Sequence, residues 1–132
     1  MGRYETAVLD SQGLAGWVEG DRKIAAMVKE LSDTGSEIVI SANTLVEVAH
    51  ERIRLPRLER ALSHMRVEPV TERAAKGSAQ LLKEVRLYGH EHAVDSTVAE
   101  LALRQRGPVV LLTSSPDDMR RLCAGRVHIV AL

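Results

Sequence analysis

The sequence predicts an α/β fold, a three-layer α/β/α sandwich built on a central, mostly parallel five-stranded sheet. Three observations lead there. Five short apolar runs recur along the 132 residues, and helical patterns lie between nearly all of them. Such alternation means βαβ units and a sheet covered on both faces. Several of the apolar runs also empty directly into polar turns, most plainly VVLLTSSPDDM at residues 109–119.

The elements follow in order. Residues 5–9 (ETAVL) form the first strand and end at Asp10, after which SQGLAGWVEG supplies one or two helical turns. In 21–33 the residues Ile24, Met27, Val28 and Leu31 make the stripe of an amphipathic helix, with Asp21 as its cap. After a turn at Gly35, EIVI at 37–40 is a strand, and SANTLVEVAHERI at 41–53 is a helix capped by Ser41. Pro56 opens a helix over 56–65, since proline suits the first turn. RVEPV at 66–70 is a short strand, Thr71 caps a helix over 71–89, and a further helix over 92–107 stops at Gly107. PVVLL at 108–112, a helix over 116–125 beginning at Pro116, and the strand RVHIVAL at 126–132 complete the chain.

Composition bounds the answer. A chain of this length forms one domain, residues 1–132, and buries roughly 65–70% of its unfolded surface. With no Phe, one Trp and two Tyr, the core must be packed by Ala, Val and Leu. Eighteen basic residues balance eighteen acidic ones, so overall charge gives no reason to expect nucleic-acid binding and leaves only a local patch. The single cysteine, Cys123, makes no internal disulfide, and the amino terminus lacks a basic region followed by an apolar run. A reduced, cytoplasmic protein is expected. No run approaches the ~18 apolar residues of a membrane span.

Most acidic residues lie among Lys and Arg on helix surfaces, but three do not. Asp10 stands at the carboxyl end of the first strand. Glu47 is flanked by Leu45, Val46 and Val48, and Asp95 borders the apolar positions Val94, Val98, Ala99, Leu101 and Ala102. A charge beside an apolar stripe is costly to bury unless it is paired or bound to a metal. Each also has a plain structural role open to it: Asp10 as a helix cap, Glu47 as a partner of Arg52 or Arg54, Asp95 as a solvated helix edge. As an ordered series, joined by Asp117 and Asp118 after the fourth strand, they fit one edge of a parallel sheet.

These residues resemble the PIN domain family, the ribonuclease fold of VapC-type toxins in bacterial toxin-antitoxin pairs. The matching stretches are AVLDSQGL at Asp10, SANTLVEV at Glu47, HAVDSTVAELAL at Asp95 and VVLLTSSPDDMRRL at 109–122. The resemblance implies a metal-dependent endoribonuclease that hydrolyses RNA phosphodiester bonds, partnered by a VapB-like antitoxin and assembled as a homodimer. It implies that Asp10, Glu47, Asp95 and Asp118 are catalytic and surround Mg²⁺ or Mn²⁺, directly or through water. Hard divalent cations take oxygen ligands, and Mg²⁺ uses a few carboxylates while keeping waters. Ser11, Thr113 and Ser115 match hydroxyl positions near the metal or the phosphate.

The resemblance breaks at one point. The family pattern after the fourth strand is Thr-Ser-Asp followed by a further acid, whereas this chain reads Thr113-Ser114-Ser115-Pro116-Asp117-Asp118. Ser115 replaces the first acid, and Asp118 aligns with the later one. A neutral hydroxyl is a poor substitute for a carboxylate at Mg²⁺. The alternative function is therefore a catalytically weakened PIN domain that binds RNA or protein.

Other signals are lesser. Arg52, Arg54, Arg57 and Arg60 cluster where arginine could pair with an RNA backbone, although Glu51 and Glu59 could equally balance a solvated face. In the resembling toxins this helical pair also receives the antitoxin. His92 is a candidate to lie near a phosphate. GHEHAVD lacks the final histidine of a zinc-hydrolase motif, and GLAG lacks the lysine and spacing of a phosphate loop. A receiver-like domain would want paired acids near residue 10 and a lysine at its fifth strand, and neither exists.

Overall fold

The computed structural model describes residues 3–50 and 52–132. Glu51, one of the two acids set against the arginine cluster, lies outside them. The chain runs β1 (Thr6–Leu9), α1 (Ser11–Glu19), α2 (Arg22–Asp33), β2 (Glu37–Ser41), α3 (Ala42–Val48), α4 (Leu55–Leu62), β3 (Arg66–Glu68), α5 (Glu72–Val85), α6 (His90–Leu103), β4 (Val109–Thr113), α7 (Pro116–Cys123) and β5 (His128–Ala131). The sheet order is β3-β2-β1-β4-β5, and all four pairings are parallel.

Strand alternation builds two cores. Ala7 and Leu9, Ile38 and Ile40, Val110 and Leu112 face α1 to α4, meeting Leu14, Val28, Leu31, Val48 and Leu58. Val8, Val39, Val109 and Leu111 face the opposite way, onto Val98, Ala99, Leu101, Met119 and Leu122 of α6 and α7. The central strands are apolar on both faces because helices cover both, as parallel sheets require. Cys123 is fully buried in the second core, which pushes its thiol up to about 11 and leaves it a small apolar residue.

Three expected caps close as the sequence indicates: Asp21 accepts from Ile24 N at 3.0 Å, Thr71 from Ala74 N at 3.1 Å, and Ser41 from Asn43 N at 3.2 Å. The helix expected over 41–53 differs, since α3 ends at Val48 and Ala49 is already outside the helical range. The reason is tertiary: Ile53 must turn inward onto the first core, which a continuous helix would not permit. Two other helices are shorter than their apolar pattern, α5 stopping before Arg86 in a left-handed conformation and α6 ending at Leu103. The three-residue β3 is fastened by Arg66, which donates to Glu68, to Glu37 at 3.0 Å and to Gln105 at 2.7 Å.

The strand order places the site. From β1 the chain moves outward to β2 and β3, then returns across β1 to β4 and continues outward to β5. Helices therefore leave the carboxyl ends of β1 and β4 for opposite faces of the sheet, and a crevice opens between them. Gly13 lets α1 sit tightly there, since a Cβ would stand 3.2 Å from that of Leu9. Because Leu112 is buried beneath this crevice, Leu112→Ala is expected to lower unfolding stability by about 2–5 kcal/mol in urea melts. Val46→Ala, at a side chain 79% exposed, should change it by less than about 0.5 kcal/mol.

Candidate active site

The site begins with Asp10, whose side chain is 3% exposed at the end of β1. One oxygen, Oδ1, accepts from Gly13 N at 2.9 Å and caps α1. The other, Oδ2, accepts from Thr113 Oγ1 and from Ser114 N, both at 2.8 Å, with Ser114 Oγ more distant at 3.4 Å. The capping role and the cluster role are thus performed by different oxygens of one carboxylate. Thr113 Oγ1 in turn accepts from Ser115 N at 2.9 Å, so the turn after β4 is folded around Asp10. Thr113 is fully buried, and Ser11 is half-buried at the start of α1.

Asp95 projects from α6, which packs against α3, α7, β1 and β4. Burial, followed by the negative charges of Asp10, Glu47 and Asp118, raises its carboxyl from 3.8 to about 6, and His92 acts in the opposite direction. Four acids from four segments therefore share one electrostatic environment. Among the described residues none of them is paired with a lysine or arginine; Asp118 has only His92, with Nδ1 3.5 Å from Oδ2.

One position departs from expectation. Glu47 is exposed despite its apolar sequence neighbours, because Val46 points into solvent while Val48 packs inward. It reaches the cluster from the rim. The adjacent aspartates diverge: Asp117 is 96% exposed and pairs with Arg120 at 3.2 Å, whereas Asp118 is turned toward Asp95 and His92. Consecutive residues of a helix face directions about 100° apart, so only one can serve the cluster. Ser115 is the residue before α7 and makes no side-chain cap.

The four acids and the hydroxyls beside them offer oxygen donors, which suit Mg²⁺ or Mn²⁺ better than zinc, while His92 adds a nitrogen next to Asp118. Among the described residues no three His, Cys, Asp or Glu side chains converge closely enough to form a finished cage. Mg²⁺ itself needs only one or two direct carboxylates and keeps several waters. Among the described residues two buried polar side-chain atoms lack partners, Thr44 Oγ1 and His92 Nδ1, each one helical turn before a cluster acid. Sequence reasoning missed Thr44 and Ser114. Spacing from Glu47 could have flagged Thr44, but the backbone donation by Ser114 leaves no trace in residue type.

Arg52, Arg54 and Arg57 line a groove of about 290 Å³ with Val18, Glu19 and Ile53. Among the described residues these arginines and Arg60 form no ion pair, and Glu59 does not balance them.

No protein-family model matches the sequence, and no curated protein matches it. Solved structures do match. A chain of the VapBC2 complex of Rickettsia felis, bound to a DNA fragment from its promoter, has a TM-score of 0.74 at 14% identity, covering 96% of this chain and 98% of that one. The fold is PIN-like. A toxin-antitoxin complex from Klebsiella pneumoniae gives 0.71 at 22% identity over 92% and 95% of the two chains. FitAB bound to an IR36 DNA fragment gives 0.69 at 19% over 96% and 94%. The PIN-like fold thus accounts for nearly the whole chain.

Asp95 makes the folded protein dependent on pH in an unusual direction. Between about pH 4 and 6 the unfolded chain has released this proton while the folded chain still holds it, so stability falls as pH rises through that window. Asp95→Asn is expected to remove the fall and to stabilise the cation-free protein at pH 7 by about 1–3 kcal/mol, read from urea melts across pH. Thr113→Val, which strips a donor from buried Asp10, should cost about 1–3 kcal/mol, and Thr113→Ser much less.

Proposed function

We propose that this chain is a divalent-cation-dependent endoribonuclease, the toxin of a toxin-antitoxin pair. The observation that carries the reading is the cluster of Asp10, Glu47, Asp95 and Asp118 at the crevice between β1 and β4, without a basic partner among the described residues. Structural ion pairs would be matched, whereas a cation site must leave its negative charge uncompensated.

In this reading Asp10, Asp95 and Asp118 hold Mg²⁺ or Mn²⁺, and Glu47 approaches from the rim. When bound, the cation lowers the pKa of a water and offsets charge on the phosphate under attack. Thr113 and Ser114 fix the Asp10 carboxylate, leaving Oδ1 able to accept beyond its bond to Gly13 N. Ser11 and Ser115 supply hydroxyls beside the scissile phosphate. Arg52, Arg54 and Arg57 bind flanking phosphates of the RNA, because a guanidinium meets a phosphate with two parallel hydrogen bonds. Protection in the cell comes from an antitoxin, as the toxin-antitoxin complexes sharing this fold suggest. The working form is a cytoplasmic homodimer.

One observation favours a second reading, a binding module without catalysis: Ser115 is neutral where the resemblance expects an acid. Asp118 weighs against it by facing the cluster from α7, the helix that Ser115 precedes. The two are separated by incubating the full chain with cellular RNA and Mg²⁺ or Mn²⁺ beside Asp10→Asn and Ser115→Asp. Cutting by the parent protein that Asp10→Asn reduces by at least about a hundredfold is expected. No Asp10-dependent cutting by parent or Ser115→Asp would sink the nuclease reading, and cutting gained only with Ser115→Asp would show a nuclease site disabled at Ser115.

A further inference from the structure

His92 occupies the first turn of α6, three residues before Asp95, and its side chain is 17% exposed. Its Nδ1 is buried, has no hydrogen-bond partner, and lies 3.5 Å from Asp118 Oδ2. On the other side of the ring Nε2 is 3.4 Å from Oε1 of Glu91, whose side chain is 80% exposed. A neutral imidazole carries one N–H and one lone pair. With the proton on Nε2 alone, the Nδ1 lone pair would face a carboxylate in a buried setting, an unfavourable contact. With the proton on Nδ1, the buried atom gains an acceptor and exposed Glu91 turns to water. The gap exceeds a normal hydrogen bond by only a few tenths of an ångström, within reach of a small side-chain rotation.

We propose that His92 is a positioning residue for Asp118: its Nδ1–H donates to Asp118 Oδ2 and holds that carboxylate in the cation site, compensating for the neutral Ser115. This rests on the nuclease reading of the cluster and deepens it. Asp118 is the one carboxylate of α7 turned toward the cluster, since Asp117 is committed to Arg120 at the surface. It is repelled by Asp95 and, lacking a donor from its own helix, needs one from α6. Groups bonded to a ligating side chain fix its orientation, and their loss costs metal affinity about 10–100-fold.

The test uses the full chain and Mn²⁺ alone as the probe. In cation-free protein, the ¹⁵N imidazole spectrum of His92 is expected to show a protonated Nδ1, and Asp118→Asn to shift that nitrogen. In calorimetric and thermal-shift titrations, His92→Ala should weaken Mn²⁺ binding by about tenfold or more. His92→Asn, which retains a donor near the Nδ1 position, should restore much of it. His92→Gln, which places its donor near Nε2, should restore little and also serves if the alanine variant folds poorly. In an Asp118→Asn background all three should bind alike.

An Nε2–H tautomer indifferent to Asp118→Asn, or Mn²⁺ affinity unchanged by His92→Ala and His92→Gln, would overturn the proposal. A parent protein that binds no Mn²⁺ at all would instead remove the nuclease reading and, with it, the compensation at the cation site. The imidazole spectrum would still decide whether the bond to Asp118 forms.

Discussion

Everything at the crevice depends on how the Asp10 carboxylate is held. Its two oxygens join the end of β1, the first turn of α1 and the turn after β4, through Gly13 N, Thr113 Oγ1 and Ser114 N. A buried charge is tolerable only when such donors replace the water it has lost. Here they come from segments more than a hundred residues apart, which ties the local geometry of the site to correct pairing of β1 with β4. A register slip would break the cluster along with the sheet, since one residue of shift sends each side chain to the other face.

Around that anchored charge the other acids carry a cost. Asp95 is desolvated and repelled, Asp118 has only a histidine nearby, and Glu47 remains at the rim, where water screens it. Among the described residues Thr44 Oγ1 and His92 Nδ1 are buried without a partner, and His92 lies beside Asp118. Unmatched charge and unmatched polarity together are expected where function competes with stability. The two cores compensate, because the central strands are apolar on both faces and every one of their residues from Ala7 to Leu9, Ile38 to Ile40 and Val109 to Leu112 is buried.

The fold was largely legible. Apolar runs with helical stripes between them specified five strands and seven helices, and Asp21, Ser41 and Thr71 cap as their residue types indicate. Less legible was where α3 ends, because Ile53 is drawn inward by a core whose members lie far away in sequence. Glu47 likewise reads as buried from its neighbours, yet helix direction turns it outward beside exposed Val46. The four acids were identifiable one by one, whereas their influence on the Asp95 proton came only from spatial proximity.

By itself, then, the sequence determined element type, the two-faced burial of the strands and a short list of candidate acids, because periodicity and capping act over a few residues. Tertiary structure decided that α1 to α4 share one face and α5 to α7 the other, that the crevice lies between β1 and β4, and that Asp118 rather than Asp117 faces it. Strand order and helix rotation depend on packing between distant segments, and no local pattern encodes them. The shortage at Ser115 is visible in the sequence, but His92 beside Asp118 is visible only in the fold.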